Sequence, residues 1–328
     1  MDTKIKVGVI GVGALGRHHA RLYNENDKCT VVGVFDVDFE QCKKVAEEFD
    51  LTPFEKMEEL AEKCEALSIA VPATLHHDIS APLLEMGRHL LIEKPLESDL
   101  AKGRKIAELA AKNNLVVGVG HVERFNPAMD YLESRKAENI FIEAHRLANY
   151  PPPRPGMHRR GTEVGVVLDL MIHDIDLILS MVSSPITSID AVGIPVLSAT
   201  EDIASVRIHF ENGAVANLTA SRVSVDPLRR FRVFQSDCYI SMDYGKCSGM
   251  ILKKNRIGIK EKKVDLDEKN ALAHEIDDFV DAVTKTIETG VLHKTKVPVE
   301  DGLKALEVAI QITENLTMHN EKHGFTFK

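Results

Sequence analysis

The sequence predicts an α/β protein in two parts: a doubly wound parallel sheet, then a domain on a mostly antiparallel open sheet. In the first part, short apolar runs alternate with helical segments, as in a parallel sheet buried on both faces. Further along, long stretches with period-two alternation replace that pattern. The chain has 328 residues, which is enough for two domains, and the change of pattern separates 1–124 from 125–328.

Each candidate strand of the first part is a short run rich in Val, Ile and Leu. The predicted strands are 5–10, 30–35, 66–71, 89–92 and 115–119. The predicted helices between them are 14–25, 38–49, 76–86 and 99–113. Because the carboxyl ends of parallel strands share one edge of the sheet, we expect ligands to gather at that edge.

The second part opens with a strand at 141–148, a loop rich in Pro and Arg at 150–161, and a helix at 164–182. Period-two stretches follow at 188–197, 203–210, 214–223, 229–241 and 250–265, with a hairpin signal at 211–213. The helices 271–289 and 300–320 close the chain. We expect helices to cover one face of this sheet and a second copy of the chain to cover the other.

A glycine-rich turn follows the first strand. The segment Gly11-Val12-Gly13-Ala14-Leu15-Gly16 opens a helix, and Asp36 ends the next strand. The glycines allow a tight turn, close approach of a pyrophosphate to the backbone, and close packing of the helix. The helix N-terminus meets the pyrophosphate, and Asp36 accepts hydrogen bonds from ribose hydroxyls and repels a 2′-phosphate. The pattern predicts a dinucleotide site for NAD; an ordinary βαβ unit with a glycine turn is the less favoured alternative.

Two short motifs contain candidate catalytic residues. Glu93-Lys94-Pro95 follows a buried strand, so that Lys94 faces the crevice and can stabilise an alkoxide or relay a proton. Asp169, His173 and Asp176 are spaced i, i+4, i+7 and form one stripe on a helix. A carboxylate one turn away raises the pKa of the imidazole, which suits a general base. The alternative for the first motif is a surface lysine in a turn. The alternative for the second is a solvated polar helix face with an incidental i,i+4 pair.

Composition excludes other classes of protein. The net charge of −9 argues against non-specific nucleic-acid binding. The apolar runs are too short for a transmembrane helix. We expect no signal peptide, because the first residues lead directly into the first strand. The five scattered cysteines form no CxxC motif, which indicates reduced thiols in a cytoplasmic protein. We expect no metal, because no carboxylate or cysteine joins the histidines at ligand spacing.

Taken together, the motifs resemble those of the Gfo/Idh/MocA oxidoreductases. The glycine turn, Val71-Pro72-x-x-x-His76, Glu93-Lys94-Pro95 and Asp169-x-x-x-His173-x-x-Asp176 stand in that family's order and spacing, over essentially the whole chain. The resemblance implies an N-terminal Rossmann domain and a C-terminal domain whose open sheet forms dimers or tetramers. It also implies reversible hydride transfer between NAD(P) and a carbohydrate or polyol.

The resemblance also assigns residues to roles. It implies that Lys94 is the catalytic lysine, that His173 accepts the proton of the substrate hydroxyl, and that Asp169 holds the substrate or His173. The family often has a cis peptide bond at this Lys-Pro pair, so the resemblance implies a cis bond between Lys94 and Pro95. The expected cofactor-binding residues are Gly11, Val12, Gly13, Ala14, Leu15, Gly16, Asp36, Val71, Pro72, His76, Glu93, Lys94 and His121.

A basic loop bears on the choice of substrate. Arg154, Arg159 and Arg160 precede the helix with the catalytic pair, and arginine forks bind phosphate oxygens. In an acidic chain this cluster favours an anionic substrate, such as the diphosphate of a sugar nucleotide. The alternative is an exposed loop that is paired with nearby acids or ordered by oligomerisation. The segment 121–127, with Arg124 as a further substrate contact, resembles members that oxidise UDP-N-acetylglucosamine at the 3-hydroxyl.

Three functions therefore remain open at the level of sequence. The leading one is an NAD-dependent sugar-nucleotide 3-dehydrogenase. The second is a dehydrogenase of a neutral polyol such as myo-inositol, for which the three loop arginines would not matter. The third is a non-catalytic NAD-bound sensor, which would be expected to lose Lys94 or His173 first, whereas both are present.

Overall fold

The computed structural model describes residues 4–133, 141–152, 164–255, 258–265 and 270–324. The chain packs into two compact units, the first made of 1–125 and 270–306 and the second of 126–269 and 307–328. The proposed boundary after residue 124 lies beside the break at Phe125. The segment 270–306 packs with the first unit, because its long helix contacts the first helix and the first strand of the chain.

The first unit is built on a parallel sheet with the strand order β3-β2-β1-β4-β5-β6. This is the doubly wound arrangement that the sequence predicts. The two-residue β3 was not predicted, because so short a strand shows no periodicity. The strands are β1 (Ile5–Ile10), β2 (Cys29–Phe35), β3 (Pro53–Phe54), β4 (Ala66–Ile69), β5 (His89–Glu93) and β6 (Val117–Gly120).

Helices cover the parallel sheet. Phe279 and Val280 of the long helix α8 share one apolar cluster with Val7 and Val9 of β1, and all four side chains are fully buried. Burial on both faces explains why these strands read as continuous apolar runs. The helices of this unit are α1 (Gly16–Asn24), α2 (Phe39–Phe49), α3 (Met57–Lys63), α4 (His76–Glu85), α5 (Leu100–Lys112) and α8 (Ala271–Thr289), with 3₁₀ turns at Ala73–Leu75 and Val122–Phe125.

The second unit is built on an eight-stranded sheet with the order β14-β13-β12-β11-β7-β10-β9-β8. It is mostly antiparallel, as predicted, although β7 and β10 pair in parallel. The strands are β7 (Phe141–Leu147), β8 (Ile186–Ile194), β9 (Ile203–Phe210), β10 (Val215–Ser221), β11 (Leu228–Phe234), β12 (Cys238–Asp243), β13 (Ser248–Lys254) and β14 (Ile259–Asp265).

Two predicted stretches of this sheet were wrong in extent. The stretch 229–241 comprises β11 and β12, and a tight turn between them is closed by the Gln235 N–H donating to the Cys238 carbonyl at 2.8 Å. The stretch 250–265 likewise comprises β13 and β14, with the Asn255 N–H donating to the Gly258 carbonyl at 2.9 Å. Antiparallel partners keep the same alternation on both sides of a tight turn, so the pattern alone hides the break.

The helical elements of the second unit are α6 (Pro127–Glu133), a π-helical turn (Val167–Met171) and α7 (Ile172–Met181). The last helix, α9 (Val299–Lys322), contributes its first residues to the first unit and the remainder to the second. Among the described residues, no helix combines the length and the apolar character needed to cross a membrane. The same residues contain no group of three or more His, Cys, Asp or Glu suited to a metal ion.

Candidate active site

The glycines of the turn after β1 have distinct surroundings. Gly11 has a φ of +83°, a conformation that favours glycine, and a Cβ there would lie 2.7 Å from the Ala70 carbonyl oxygen. A Cβ on Gly16 would overlap the carbonyl oxygen of Gly11. A Cβ on Gly13 would meet nothing within 4 Å. Thus Gly11 and Gly16 are required for packing, whereas Gly13 leaves open space over the turn.

The start of α1 is suited to an anion. Leu15, the residue at the helix start, provides no side-chain cap, and the first turn contains no acidic residue. Gly13 and Ala14 are exposed beside it. The N–H groups of a first helical turn have no intrahelical acceptor and lie at the positive end of the helix dipole. These backbone groups fit the pyrophosphate of a dinucleotide.

Asp36 is fixed at the end of β2 next to this turn. Its Oδ2 accepts the Val12 N–H at 2.8 Å, and its Oδ1 accepts the Asp38 N–H at 2.9 Å. Each carboxylate oxygen keeps a further lone pair, so Asp36 can still accept hydrogen bonds from two ribose hydroxyls. The glycine turn that would bind the pyrophosphate therefore also positions the Asp36 carboxylate. A carboxylate in this position fits the ribose of NAD.

The predicted catalytic lysine follows β5. Lys94 is half-buried, and the Lys94–Pro95 peptide bond is cis, as the resemblance implies. The Lys94 N–H donates to Oε2 of Glu93 at 3.2 Å. Glu93 itself is 7% exposed, and its Oε1 lies 2.9 Å from Nε2 of the fully buried His19. From the sequence we expect at least one of His18 and His19 beneath the nucleotide, but the sequence prediction did not include His19 among the site residues or its contact with Glu93.

His76 joins two turns of the predicted cofactor site. Its Nδ1 lies 3.0 Å from the carbonyl oxygen of Pro95 and 3.2 Å from that of Leu96, and its Nε2 lies 3.0 Å from that of Val71. The side chain is fully buried, which lowers its pKa. Both ring nitrogens thus face protein carbonyls, so His76 can act on a cofactor only through these turns.

His121 and Arg124 lie beside the end of β6. Burial, together with the positive charges of Lys94 and Arg124, lowers the pKa of His121 to about 3. Its imidazole is therefore neutral near Lys94. The Nη2 of Arg124 lies 3.3 Å from the Lys296 carbonyl oxygen and 3.5 Å from Oδ2 of Asp301. Arg124 thus packs against the start of α9 as well as being a candidate for substrate binding.

In the second unit, the predicted stripe on one regular helix was wrong in its geometry. Asp169 lies in the π-helical turn, and His173 lies in the first turn of α7. A π turn closes i→i+5 hydrogen bonds and is wider than an α turn, so four residues no longer correspond to one helical turn. Both side chains are half-buried, whereas Asp176 is 2% exposed. Such π turns occur frequently at functional sites.

Glu201 holds the start of this helical segment. Its carbonyl oxygen accepts the Val166 N–H at 2.9 Å, and its Oε1 accepts the Val167 N–H at 3.4 Å. A Cβ on Gly165 would overlap the Glu201 carboxylate, so only glycine leaves room for this contact. Burial raises the pKa of Glu201. The sequence prediction missed Glu201, because it lies 32 residues after Asp169 and outside the recognised motif.

The two units divide the predicted site residues between them. Lys94, His121 and the glycine turn belong to the first unit, and Asp169 and His173 belong to the second. The predicted substrate contacts Arg154, Arg159 and Arg160 lie outside the described residues.

Comparisons with known proteins agree with these features. Residues 5–121 match the oxidoreductase family with an NAD-binding Rossmann fold, and residues 138–241 match the GFO/IDH/MocA C-terminal domain. The chain is 35% identical over 286 residues to a UDP-N-acetylglucosamine 3-dehydrogenase of Acidithiobacillus ferrooxidans, which covers 85% of this chain and 88% of the relative. It is 26% identical over 243 residues to the scyllo-inositol 2-dehydrogenase (NAD(+)) of Bacillus subtilis, 68% of this chain and 69% of the relative.

Solved structures show the same relationship. The fold matches that of the Acidithiobacillus ferrooxidans UDP-N-acetylglucosamine 3-dehydrogenase with a TM-score of 0.87 and 33% identity, covering 95% of this chain and 97% of the other. A levoglucosan dehydrogenase in complex with NADH and levoglucosan matches in fold alone, with a TM-score of 0.84 and 18% identity, over 96% and 98% of the two chains. The chain therefore belongs to the Gfo/Idh/MocA family of NAD-binding oxidoreductases.

Proposed function

We propose that this protein is an NAD-dependent dehydrogenase that oxidises the 3-hydroxyl of a UDP-N-acetylhexosamine, such as UDP-N-acetylglucosamine, to a ketone. The observation that carries the proposal is the 35% identity to a UDP-N-acetylglucosamine 3-dehydrogenase, which extends over 85% of this chain. The inositol dehydrogenases that match are 26% and 28% identical and cover 68% and 58% of the chain.

The proposed chemistry assigns one task to each residue. NAD, held by the glycine turn and Asp36, would supply the acceptor for the hydride of the carbinol carbon. His173 takes the hydroxyl proton as general base, and Asp169 orients either the substrate or the imidazole. Lys94 stabilises the negative charge that develops on the substrate oxygen. His121 is neutral and buried, so it adds no competing positive charge beside Lys94.

The proposed selectivity for NAD depends on Asp36. Its carboxylate is held by the Val12 and Asp38 N–H groups, so it cannot easily turn away from a 2′-phosphate. The remaining cofactor contacts are proposed to come from the backbone around Gly13 and from the turn that contains Val71 and Pro72.

The proposed substrate contacts are cationic. Arg154, Arg159 and Arg160 would bind the diphosphate of the sugar nucleotide, with Arg124 as a further contact. A dehydrogenase of a neutral polyol is the second candidate, because inositol dehydrogenases are among the relatives. The two candidates differ in their dependence on this loop. Changing both Arg159 and Arg160 to Glu would cripple an enzyme of a nucleotide sugar and leave a polyol enzyme unaffected.

The decisive experiment compares substrates. Purified protein is incubated with NAD and either UDP-N-acetylglucosamine or myo-inositol, and NADH formation is followed by absorbance. We expect NADH with the sugar nucleotide alone, and loss of the signal in the variants Lys94→Ala and His173→Ala. Lys105→Ala, at an exposed position of α5, is the matched control and should retain the activity of the native protein. NADH formed only with myo-inositol would contradict the proposal.

We further propose that the protein works in the cytoplasm as a homodimer or homotetramer. Support for the location comes from the cysteines: Cys29, Cys42, Cys64 and Cys238 are buried free thiols. Support for oligomerisation comes from apolar side chains of the second sheet that remain exposed, such as Val192 at 47%. Light scattering of the purified protein tests the number of subunits, and a monomer would contradict this part of the proposal.

A further inference from the structure

We propose that His19 is a positioning residue for Lys94, acting through the buried carboxylate of Glu93. His19 would hold one oxygen of Glu93, and Glu93 would hold the backbone of Lys94 with the other. This inference rests on the catalytic role proposed for Lys94.

The His19–Glu93 contact is buried inside the first unit. His19 lies on α1, is fully buried, and places Nε2 at 2.9 Å from Oε1 of Glu93. An ionised carboxylate can only accept hydrogen bonds, so Nε2 must carry the proton. The residues are 74 positions apart in the chain and meet because α1 packs against the sheet that contains β5.

A hydrogen-bond chain fixes the tautomer of the His19 imidazole. Its Nδ1 lies 3.2 Å from Oγ of Ser68, and that Oγ lies 2.9 Å from the hydroxyl of Tyr23. Burial raises the pKa of Tyr23, so its phenol stays protonated and can donate to Ser68. Ser68 then donates to Nδ1, and Nε2–H donates to Glu93. A neutral imidazole therefore satisfies every hydrogen bond in this chain.

The other oxygen of Glu93 points to the catalytic turn. Oε2 accepts the Lys94 N–H at 3.2 Å. Glu93 pairs with Gly120 across β5 and β6, and a Cβ on Gly120 would lie 2.9 Å from this same oxygen. The carboxylate is thus held by His19 on one side, by the Lys94 backbone on another, and by close contact with a bare glycine backbone.

This arrangement has a consequence for Lys94. A hydrogen bond to an ionised group is about twice as strong as one between neutral groups, so the carboxylate fixes the start of the Lys94 turn firmly. Loss of the His19 donor would leave the buried carboxylate with one fewer hydrogen-bond partner, so that it could turn away from the Lys94 N–H. The backbone of Lys94 would then be held less firmly, and its side chain would no longer be fixed in one position.

The test compares His19→Gln with His19→Asn, because the two amides reproduce different ring nitrogens of the imidazole. Gln at position 19 can place its amide N–H near the position of Nε2, facing Glu93. Asn, which is shorter, can place a polar group only near the position of Nδ1, facing Ser68. Both variants bury one amide in the same cavity, so they separate the contact with Glu93 from the general effect of losing a histidine.

Steady-state kinetics, with kcat and the KM for NAD measured separately, gives the first readout. We expect His19→Gln to retain kcat within about threefold, and His19→Asn to lose kcat on the order of tenfold, the size of one hydrogen bond to a charged group. The KM for NAD should change less than kcat. A smaller loss of the same kind is expected for Ser68→Ala, which provides a second variant of nearly unchanged size.

The second readout needs no substrate. Lys94 is acylated with an N-hydroxysuccinimide ester, and mass spectrometry gives its rate relative to the exposed Lys105. We expect this ratio to change in His19→Asn and to stay near the native value in His19→Gln. If the native protein does not oxidise UDP-N-acetylglucosamine, the proposed function fails while this readout still decides the role of His19. Equal acylation ratios and equal kcat values in both folded variants would overturn the inference.

Discussion

Arg146 and Asp174 form a bidentate ion pair inside the second unit. Nε lies 3.0 Å from Oδ2 and Nη2 lies 3.3 Å from Oδ1, with side chains 3% and 2% exposed. The hydroxyl of Tyr244 donates to the same Oδ1 at 2.8 Å. Asp174 directly follows His173 on α7, and Arg146 belongs to β7. The pair therefore fastens the helix with the proposed general base to the strand beneath it.

Removing one partner of this pair should strongly destabilise the protein. In Asp174→Asn the buried guanidinium of Arg146 loses the charge of this carboxylate, and breaking such a buried pair costs about 3–5 kcal/mol. We expect a clear fall in the melting temperature in thermal denaturation. The control is Glu25→Gln, which removes an exposed i,i+4 pair with Arg21 on α1 and should change the melting temperature little. Equal effects of the two variants would show that the buried pair does not fasten α7.

Two glycines of the same turn should respond differently to alanine. In Gly16→Ala the new Cβ overlaps the Gly11 carbonyl, so the turn must shift and the melting temperature should fall. In Gly13→Ala the Cβ enters open space, so the melting temperature should stay near that of the native protein. That methyl occupies the space through which the pyrophosphate approaches, so Kd for NAD should rise by roughly tenfold, about 1.4 kcal/mol. Melting curves and calorimetric titration with NAD measure both effects. Native affinity in Gly13→Ala would contradict the placement of the pyrophosphate.

Alanine variants of two aspartates near the end of β2 should have different effects, one on cofactor selectivity and the other on stability. Asp36→Ala removes the carboxylate that would repel a 2′-phosphate, so the ratio of Kd for NADP to Kd for NAD should fall by on the order of tenfold. Asp38 accepts the N–H groups of Glu40 and Gln41 as the N-cap of α2, so Asp38→Ala should cost about 1 kcal/mol of stability. The latter variant should keep the native ratio. Titration of both variants with NAD and NADP gives the two ratios, and an unchanged ratio in Asp36→Ala would contradict the role of Asp36.

The buried His89 should make stability depend on pH. Its Nδ1 accepts the Val116 N–H at 2.9 Å, and burial lowers its pKa from 6.5 to about 4. The unfolded chain then binds a proton that the folded chain excludes between these values. This contribution to stability is present in full above about pH 6.5 and is lost as the pH falls toward 4. His89→Asn keeps an acceptor for Val116 but cannot titrate, so its stability should fall less steeply, by up to about 1.4 kcal/mol per pH unit. Urea denaturation across this range measures the slopes, and parallel curves would contradict the assignment.

Much of the first unit follows from local sequence. The predicted strand 5–10 coincides with β1, and the predicted helix at 271–289 coincides with α8. Strands buried on both faces show unbroken apolar runs, and the long helix keeps a clear apolar face. The glycine turn could also be predicted from the sequence, because its glycine spacing reflects steric limits on the backbone within a few residues. The breaks between β11 and β12 and between β13 and β14 could not be predicted, because side-chain alternation continues across a tight turn.

The sequence by itself determined the order of the elements, the glycine turn with Asp36, and the presence of Lys94 and His173 in motifs of one family. Only the tertiary structure decided that Glu93 meets His19, that Asp174 meets Arg146, and that Asp169 lies in a π-helical turn. Local patterns express what each segment prefers within one or two turns. Contacts between residues tens of positions apart depend on strand order, register and helix packing, which are set when the whole chain buries its apolar surface.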